Sequence, residues 1–113
     1  MSDTETREAT EAYADETPLI ELFGDSARAR IIAAAVGNRK HDLSASELAR
    51  QAGIARPTVY DHLDELRDIE AIEVVRETSQ GKRYSLADSD LGELLYETEG
   101  MALKNLLEAE GKL

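Results

Sequence analysis

The residues best equipped for chemistry lie in two short stretches. Arg56, Pro57, Thr58, Tyr60, Asp61 and His62 fall close together, and Lys82 and Arg83 stand side by side further along. Guanidinium, hydroxyl, phenol, imidazole and ammonium groups donate hydrogen bonds to phosphate oxygens and to base edges. Pro57 suits the first turn of a helix, where free N–H groups and the helix dipole attract anions. No acid occurs from Ile54 to Tyr60, although Asp and Glu make up 24 of the 113 residues. That local absence is the clearest electrostatic signal in the chain.

Other chemistries lack their parts. There is no cysteine, which removes disulfides, thiolate metal sites and cysteine nucleophiles. His41 and His62 are too few for a histidine-based metal site without carboxylate help. No Ser/His/Asp set, glycine-rich phosphate loop or metal-ligand spacing is present, so no enzyme, metal or cofactor is expected. No apolar run approaches the roughly 20 residues of a membrane span, and the acidic start does not read as a signal peptide. The expected location is the cytoplasm.

Composition bounds the body that carries these residues. A chain of 113 residues with 42% apolar content builds one modest core, and without tryptophan Leu, Ile, Val and Ala must fill it. The formal charge is −11, and it is unevenly spread. Residues 1–17 carry six acids and one arginine, and residues 88–113 carry seven acids and two lysines. Residues 18–87 hold eleven acids against ten bases. The excess therefore sits at the two ends. Residues 1–17 read as a disordered acidic tail, residues 18–87 as the folded domain, and residues 88–113 as a C-terminal helix.

The elements that must position the donors follow from caps and periodicity. Thr17 and Pro18 read as the cap and first position of a short helix with Leu19, Ile20, Leu22 and Phe23, stopped by Gly24. Asp25 reads as the cap of a helix over 26–36 with Ile31, Ile32, Ala35 and Val36 inward. Leu43 suits a very short strand. Ser44 and Glu47 form a capping box that opens a helix carrying Leu48 and Ala49. Ala52 and Gly53 close it, and Pro57 starts another, with Val59, Leu63, Leu66 and Ile69 on one face. Two short helices around a tight turn make a helix-turn-helix candidate. The second helix then leaves Pro57, Thr58, Asp61 and Glu65 outward, with Tyr60 and His62 on its flanks. Residues 72–76 and 82–86 are β-rich around a polar turn at 77–81, a hairpin that must pack on the helices. The last helix, from about Ser89, has one apolar line at Leu91, Leu95, Thr98, Ala102, Leu106 and Ala109. A second line at Tyr96, Gly100, Leu103 and Leu107 follows heptad spacing. One line can cover the domain, and the other needs a partner, most simply a second copy.

The order helix, helix, short strand, helix-turn-helix, hairpin, long helix resembles a winged helix: mainly α with a small β-hairpin wing. The stretch from Leu22 to Ile32, with Phe23, Asp25, Arg28 and Arg30, is similar to the opening of ArsR-type regulators. Leu43 to Ala49, Gly53-Ile54 and Thr58 to Leu63 are similar to the helix-turn-helix core shared by the ArsR and MarR families. Ala55 replaces the usual Ser or Thr cap of the recognition helix, and Asp61 stands where a basic or polar residue is frequent. Metal-sensing cysteine motifs are missing. The acid-rich, lysine-poor composition resembles that of proteins from salt-loving archaea.

The resemblance implies a homodimeric, sequence-specific DNA-binding transcription regulator. Helix 56–69 would enter the major groove, the wing 77–83 would lie on the adjacent backbone, and 88–113 would dimerise through Tyr96, Gly100, Leu103 and Leu107. A dimer would set two recognition helices about one DNA turn, ~34 Å, apart. Nothing in the pattern identifies a small effector. The alternative is a winged-helix module for protein contact with the acidic surface as its working face. For single residues two readings stand together. Asp61 can accept from a cytosine amino group or stay solvated, His62 can be structural or contact DNA, and Tyr60 can donate to phosphate or pack. Lys82 and Arg83 can meet phosphates or serve as edge-strand charge. Arg28 and Arg30 suit ion pairs, and Arg39, Lys40 and His41 suit a solvated loop.

Overall fold

Helix caps set most element boundaries in the computed structural model, which describes residues 11–112. A 3-10 turn, Tyr13–Glu16, leads into α1, Pro18–Phe23, and α2, Ala27–Gly37. The helix-turn-helix pair is α3, Ala45–Ala52, and α4, Arg56–Asp68. An antiparallel hairpin of β1, Ile72–Thr78, and β2, Gly81–Leu86, follows, and α5, Asp90–Ala109, closes the fold. Leu43 pairs with Tyr84 as a one-residue third strand, its N–H and carbonyl each 2.7 Å from their Tyr84 partners.

The core explains why the two central helices hold their angle. Leu48, Ala49 and Ala52 of α3 and Val59, Leu63 and Leu66 of α4 are buried in one cluster with Ile31 and Ala33 to Val36 of α2. Three consecutive alanines on α2 let its neighbours approach closely, while Leu48, Leu66, Ile31 and Ile72 supply bulk. Each such fully buried aliphatic contributes about 1.5–3 kcal/mol. The hairpin joins the cluster through Ile72, Tyr84 and Leu86, and a register shift between Val74 and Arg76 bends β1.

Several local expectations are corrected. Residues 11–17 do not form a loose tail: Ala14 and Thr17 are buried, and Ala12 N–H donates to Asp15 Oδ2 at 2.9 Å. Residues 1–10 of that expected tail lie outside the described residues. Thr17 flanks α1, but its hydroxyl donates back to the Ala14 carbonyl (3.1 Å) instead of capping. Ser26, not Asp25, caps α2, accepting from Ala29 N–H. Ile69 is 55% exposed because α4 ends at Asp68 and the chain turns at Glu70, φ 62°. Both strands extend further toward the tip than expected, closed by Thr78 and Gly81. Among the described residues no helix is long and apolar enough to cross a membrane.

Candidate nucleic-acid interface

Helix α4 and the hairpin face each other across an open groove of about 810 Å³, bounded at one end by Ser44 and Ser46 at the start of α3. Steps of four, four and three residues bring Arg56, Tyr60, Asp64 and Arg67 to the same side of α4. Gln80, Gly81, Lys82 and Arg83 line the opposite wall. Four cations thus meet one acid, in a chain of net charge −11. The Arg56 guanidinium lies 5.8 Å from the Tyr60 ring centroid, within cation–π range. Deeper in, burial first and then the neighbouring Tyr60 push the Tyr84 phenol above its ordinary value, while Arg67 pulls it down.

The two wing cations differ. Arg83 Nε donates to Asp42 Oδ1 (2.9 Å), its Nη2 donates to the Asp42 carbonyl (3.1 Å), and Nη2 lies 3.2 Å from Glu47 Oε1. Asp42 also accepts from Arg76 Nε at 2.9 Å. Hydrogen bonds from Arg76 and then Arg83 pull the Asp42 carboxyl down to about 2. Glu47, which accepts from the Ser44 N–H in the capping box, is likewise lowered, chiefly by that bond. Arg83 therefore ties the wing to the start of α3. Lys82 is exposed and makes no ion pair among the described residues.

The other expected contacts lie off the groove. Pro57 and Asp61 are exposed on the outer face of α4, and Thr58 is half-buried. His62 is half-buried, with Nδ1 3.4 Å from Arg28 Nη2, and Arg28 also pairs with Glu65. Arg30 is held by Asp15 and Asp25, so both α2 arginines make ion pairs. Arg67, Ser46 and Gln80 line the groove without having been singled out from sequence. Continuing the Arg56–Tyr60 face two further turns would have found Arg67. Beyond Arg67 lies a second groove, about 570 Å³, with Asp64, Asp68, Glu70, Glu73 and Asp88 on its walls. Among the described residues no group of three or more His, Asp or Glu is placed to hold a metal ion.

On α5 the heptad line is divided. Arg39 stacks over the Tyr96 ring, 4.1 Å from its centroid, and pairs with Glu93. Arg39 is thus an anchor between the α2–α3 loop and α5 instead of a solvated loop cation, and Tyr96 has an intramolecular partner. Gly100 and Leu103 are exposed and Leu107 is half-buried. Leu94 and Met101, not in the expected line, are 58% and 59% exposed, and Leu22 and Phe23 of α1 are exposed too. Leu91 and Ala109, expected to cover the domain, are also exposed.

With this geometry in place, comparison with known proteins agrees on the architecture. Residues 23–75 match the helix-turn-helix domain family. The reduced form of HlyU from Vibrio cholerae superimposes with TM-score 0.56 at 17% identity, over 89% of this chain and 97% of HlyU. MepR of S. aureus, in a complex with DNA, gives TM-score 0.60 at 16% identity over 97% of this chain and 84% of MepR. The M. tuberculosis transcriptional regulator MosR gives 0.53 at 21% identity over 96% and 75%. No curated protein matches in sequence. The chain is a winged helix-turn-helix protein that resembles the ArsR and MarR regulators.

Proposed function

We propose that this chain is a DNA-binding transcription regulator that acts as a homodimer in the cytoplasm at high salt. One observation supports the reading most: the groove between α4 and the wing gathers Arg56, Arg67 and Lys82, none of them ion-paired among the described residues, beside Arg83 and a single lining acid, Asp64, in a chain of net charge −11. Cations at the start and end of α4 and at the wing tip can bracket a phosphate backbone. The outer face of α4, with exposed Pro57 and Asp61 and half-buried Thr58, then enters the major groove. MepR, similar in fold, is described in complex with DNA. The dimer is supported by exposed apolar side chains on α1 and α5, Leu22, Phe23, Leu94, Met101 and Leu103, with Leu94 and Met101 on one face of α5 and Leu103 on another. Habitat at high salt is supported by the acid excess and the scarcity of lysine.

A second reading, a winged-helix module for protein contact, is favoured by the acidic groove around Asp68, Glu70, Glu73 and Asp88. Mobility shifts on genomic fragments in concentrated potassium chloride separate the two. DNA binding that weakens with Arg56→Ala and Lys82→Ala supports the regulator. Binding that is absent, or indifferent to both substitutions, supports the module.

A further inference from the structure

The turn of the helix-turn-helix is gripped from behind. Arg30 of α2 has a side chain only 15% exposed, and each of its nitrogens is engaged. Nη1 donates to Asp15 Oδ1 (2.7 Å) and to the Ala52 carbonyl (2.9 Å). Nε and Nη2 donate to the two Asp25 carboxylate oxygens at 2.6 and 3.1 Å. Ala52 is the last residue of α3, so its carbonyl lacks an intrahelical partner, and a cation there satisfies it and complements the helix dipole. The next residue, Gly53, has φ +77°, and a Cβ built on it would lie 2.7 Å from the Ala12 Cβ and 2.9 Å from Arg30 Nη1. Strap, guanidinium and turn are in close approach at one point.

The same segment also packs on the C-terminal end of α2. The Tyr13 ring lies against Gly37 at the end of α2, where it occupies the space of a Cβ. Burial and then the Glu99 carboxylate push the Tyr13 phenol above its ordinary value.

We propose that residues 12–16 are a positioning strap for α4: Arg30 is the latch that sets the α3–α4 turn, Asp15 holds the latch from the strap, and Tyr13 seats the strap on the end of α2. The strap thereby fixes the turn from which the helix that meets DNA starts. Arginine suits the role because its planar fork spans three partners at once, which a lysine ammonium on the same stem cannot do.

The test compares Asp15→Asn, which slackens the strap side of the latch, with Glu16→Gln, which removes an equal charge from the exposed side of the strap, away from Arg30. Hydrogen exchange on the full chain without DNA reads the turn directly. Asp15→Asn should speed exchange at amides 53–56 by about tenfold or more while hairpin amides keep their rates. On DNA, the ratio of specific to random-duplex affinity should fall by about tenfold while random-duplex affinity holds, because misorientation harms base contacts before phosphate contacts. Glu16→Gln should leave both quantities near wild type. Arg30→Lys should show the same pattern at least as strongly, and it replaces Asp15→Asn if that variant does not fold. Unchanged exchange at 53–56 overturns the strap, as does an equal fall in both affinities or a Glu16→Gln effect as large as that of Asp15→Asn. The affinity arm rests on the DNA-binding reading. The exchange arm does not, so a wild type that ignores DNA leaves the strap to be judged by exchange alone.

Discussion

The salt dependence of DNA binding follows from a count of groove charges. Arg56, Arg67 and Lys82 line the groove and make no ion pair among the described residues, whereas Arg83 is held by Asp42 and Glu47. Two protomers thus offer about six cations, and at about −0.9 per neutralised phosphate the log–log slope with salt would reach ~−5. Asp61 and Asp64 stand exposed on the same helix. Each must take up a cation as phosphates approach, and four such uptakes per dimer reduce the slope to roughly −2. Between 0.2 and 2 M potassium chloride, affinity should therefore fall only about a hundredfold, against about 10⁵-fold without those acids. Fluorescence anisotropy with a labelled duplex selected by the chain measures this directly. Lys82→Ala should flatten the slope by about 2 units per dimer, and Asp61→Asn with Asp64→Asn should steepen it toward ~−5. A wild-type slope near −10, or one indifferent to the aspartate changes, would show that these acids take up no cations on binding.

Four further outcomes are expected. Leu66→Ala empties a site with no solvent exposure and should cost about 2–5 kcal/mol in urea unfolding; a loss below about 1 kcal/mol would contradict the core assignment. Asp42, lowered to about 2 by Arg76 and Arg83, stabilises the wing above the ordinary carboxylate range and loses that contribution as pH falls through about 2. In hairpin amide exchange, Asp42→Asn should therefore weaken protection at pH 7 and differ little from wild type near pH 1.5; equal protection at pH 7 would contradict it. Leu103→Glu with Met101→Glu should shift sedimentation from dimer to monomer, and a wild type that sediments as a monomer ends the dimer reading. With net charge −11, the melting temperature should rise from dilute buffer to molar salt as self-repulsion is screened; an unchanged value would oppose this.

The helix-turn-helix was legible because its signals are local. Ser44 and Glu47 form the reciprocal cap expected of them, with Ser44 N–H donating to Glu47 Oε1 (2.9 Å) and Glu47 N–H to Ser44 Oγ (3.1 Å). Val59, Leu63 and Leu66 face inward at helical spacing. What escaped depends on partners distant in sequence. Lys82 and Arg83 look alike until Asp42, 41 positions before Arg83, is seen to hold the second. Tyr96 continues a heptad line, yet Arg39 from a loop far upstream covers its ring. Residues 11–17 read as solvated charge because the sequence does not show that Asp15 meets Arg30 or that Ala14 finds a pocket. Ile69 fits the helical period but falls one residue past the end of α4.

The proposed complex sets DNA against the concave face between α4 and the wing. Amide chemical-shift mapping during titration with the selected duplex tests this most directly. The largest shifts should fall at Ser46, Arg56, Tyr60, Arg67 and residues 80–82, with the acidic groove at residues 68–73 and 88 quiet. Shifts confined to that acidic groove or to α5, or none at all with a duplex the chain retains, would contradict it.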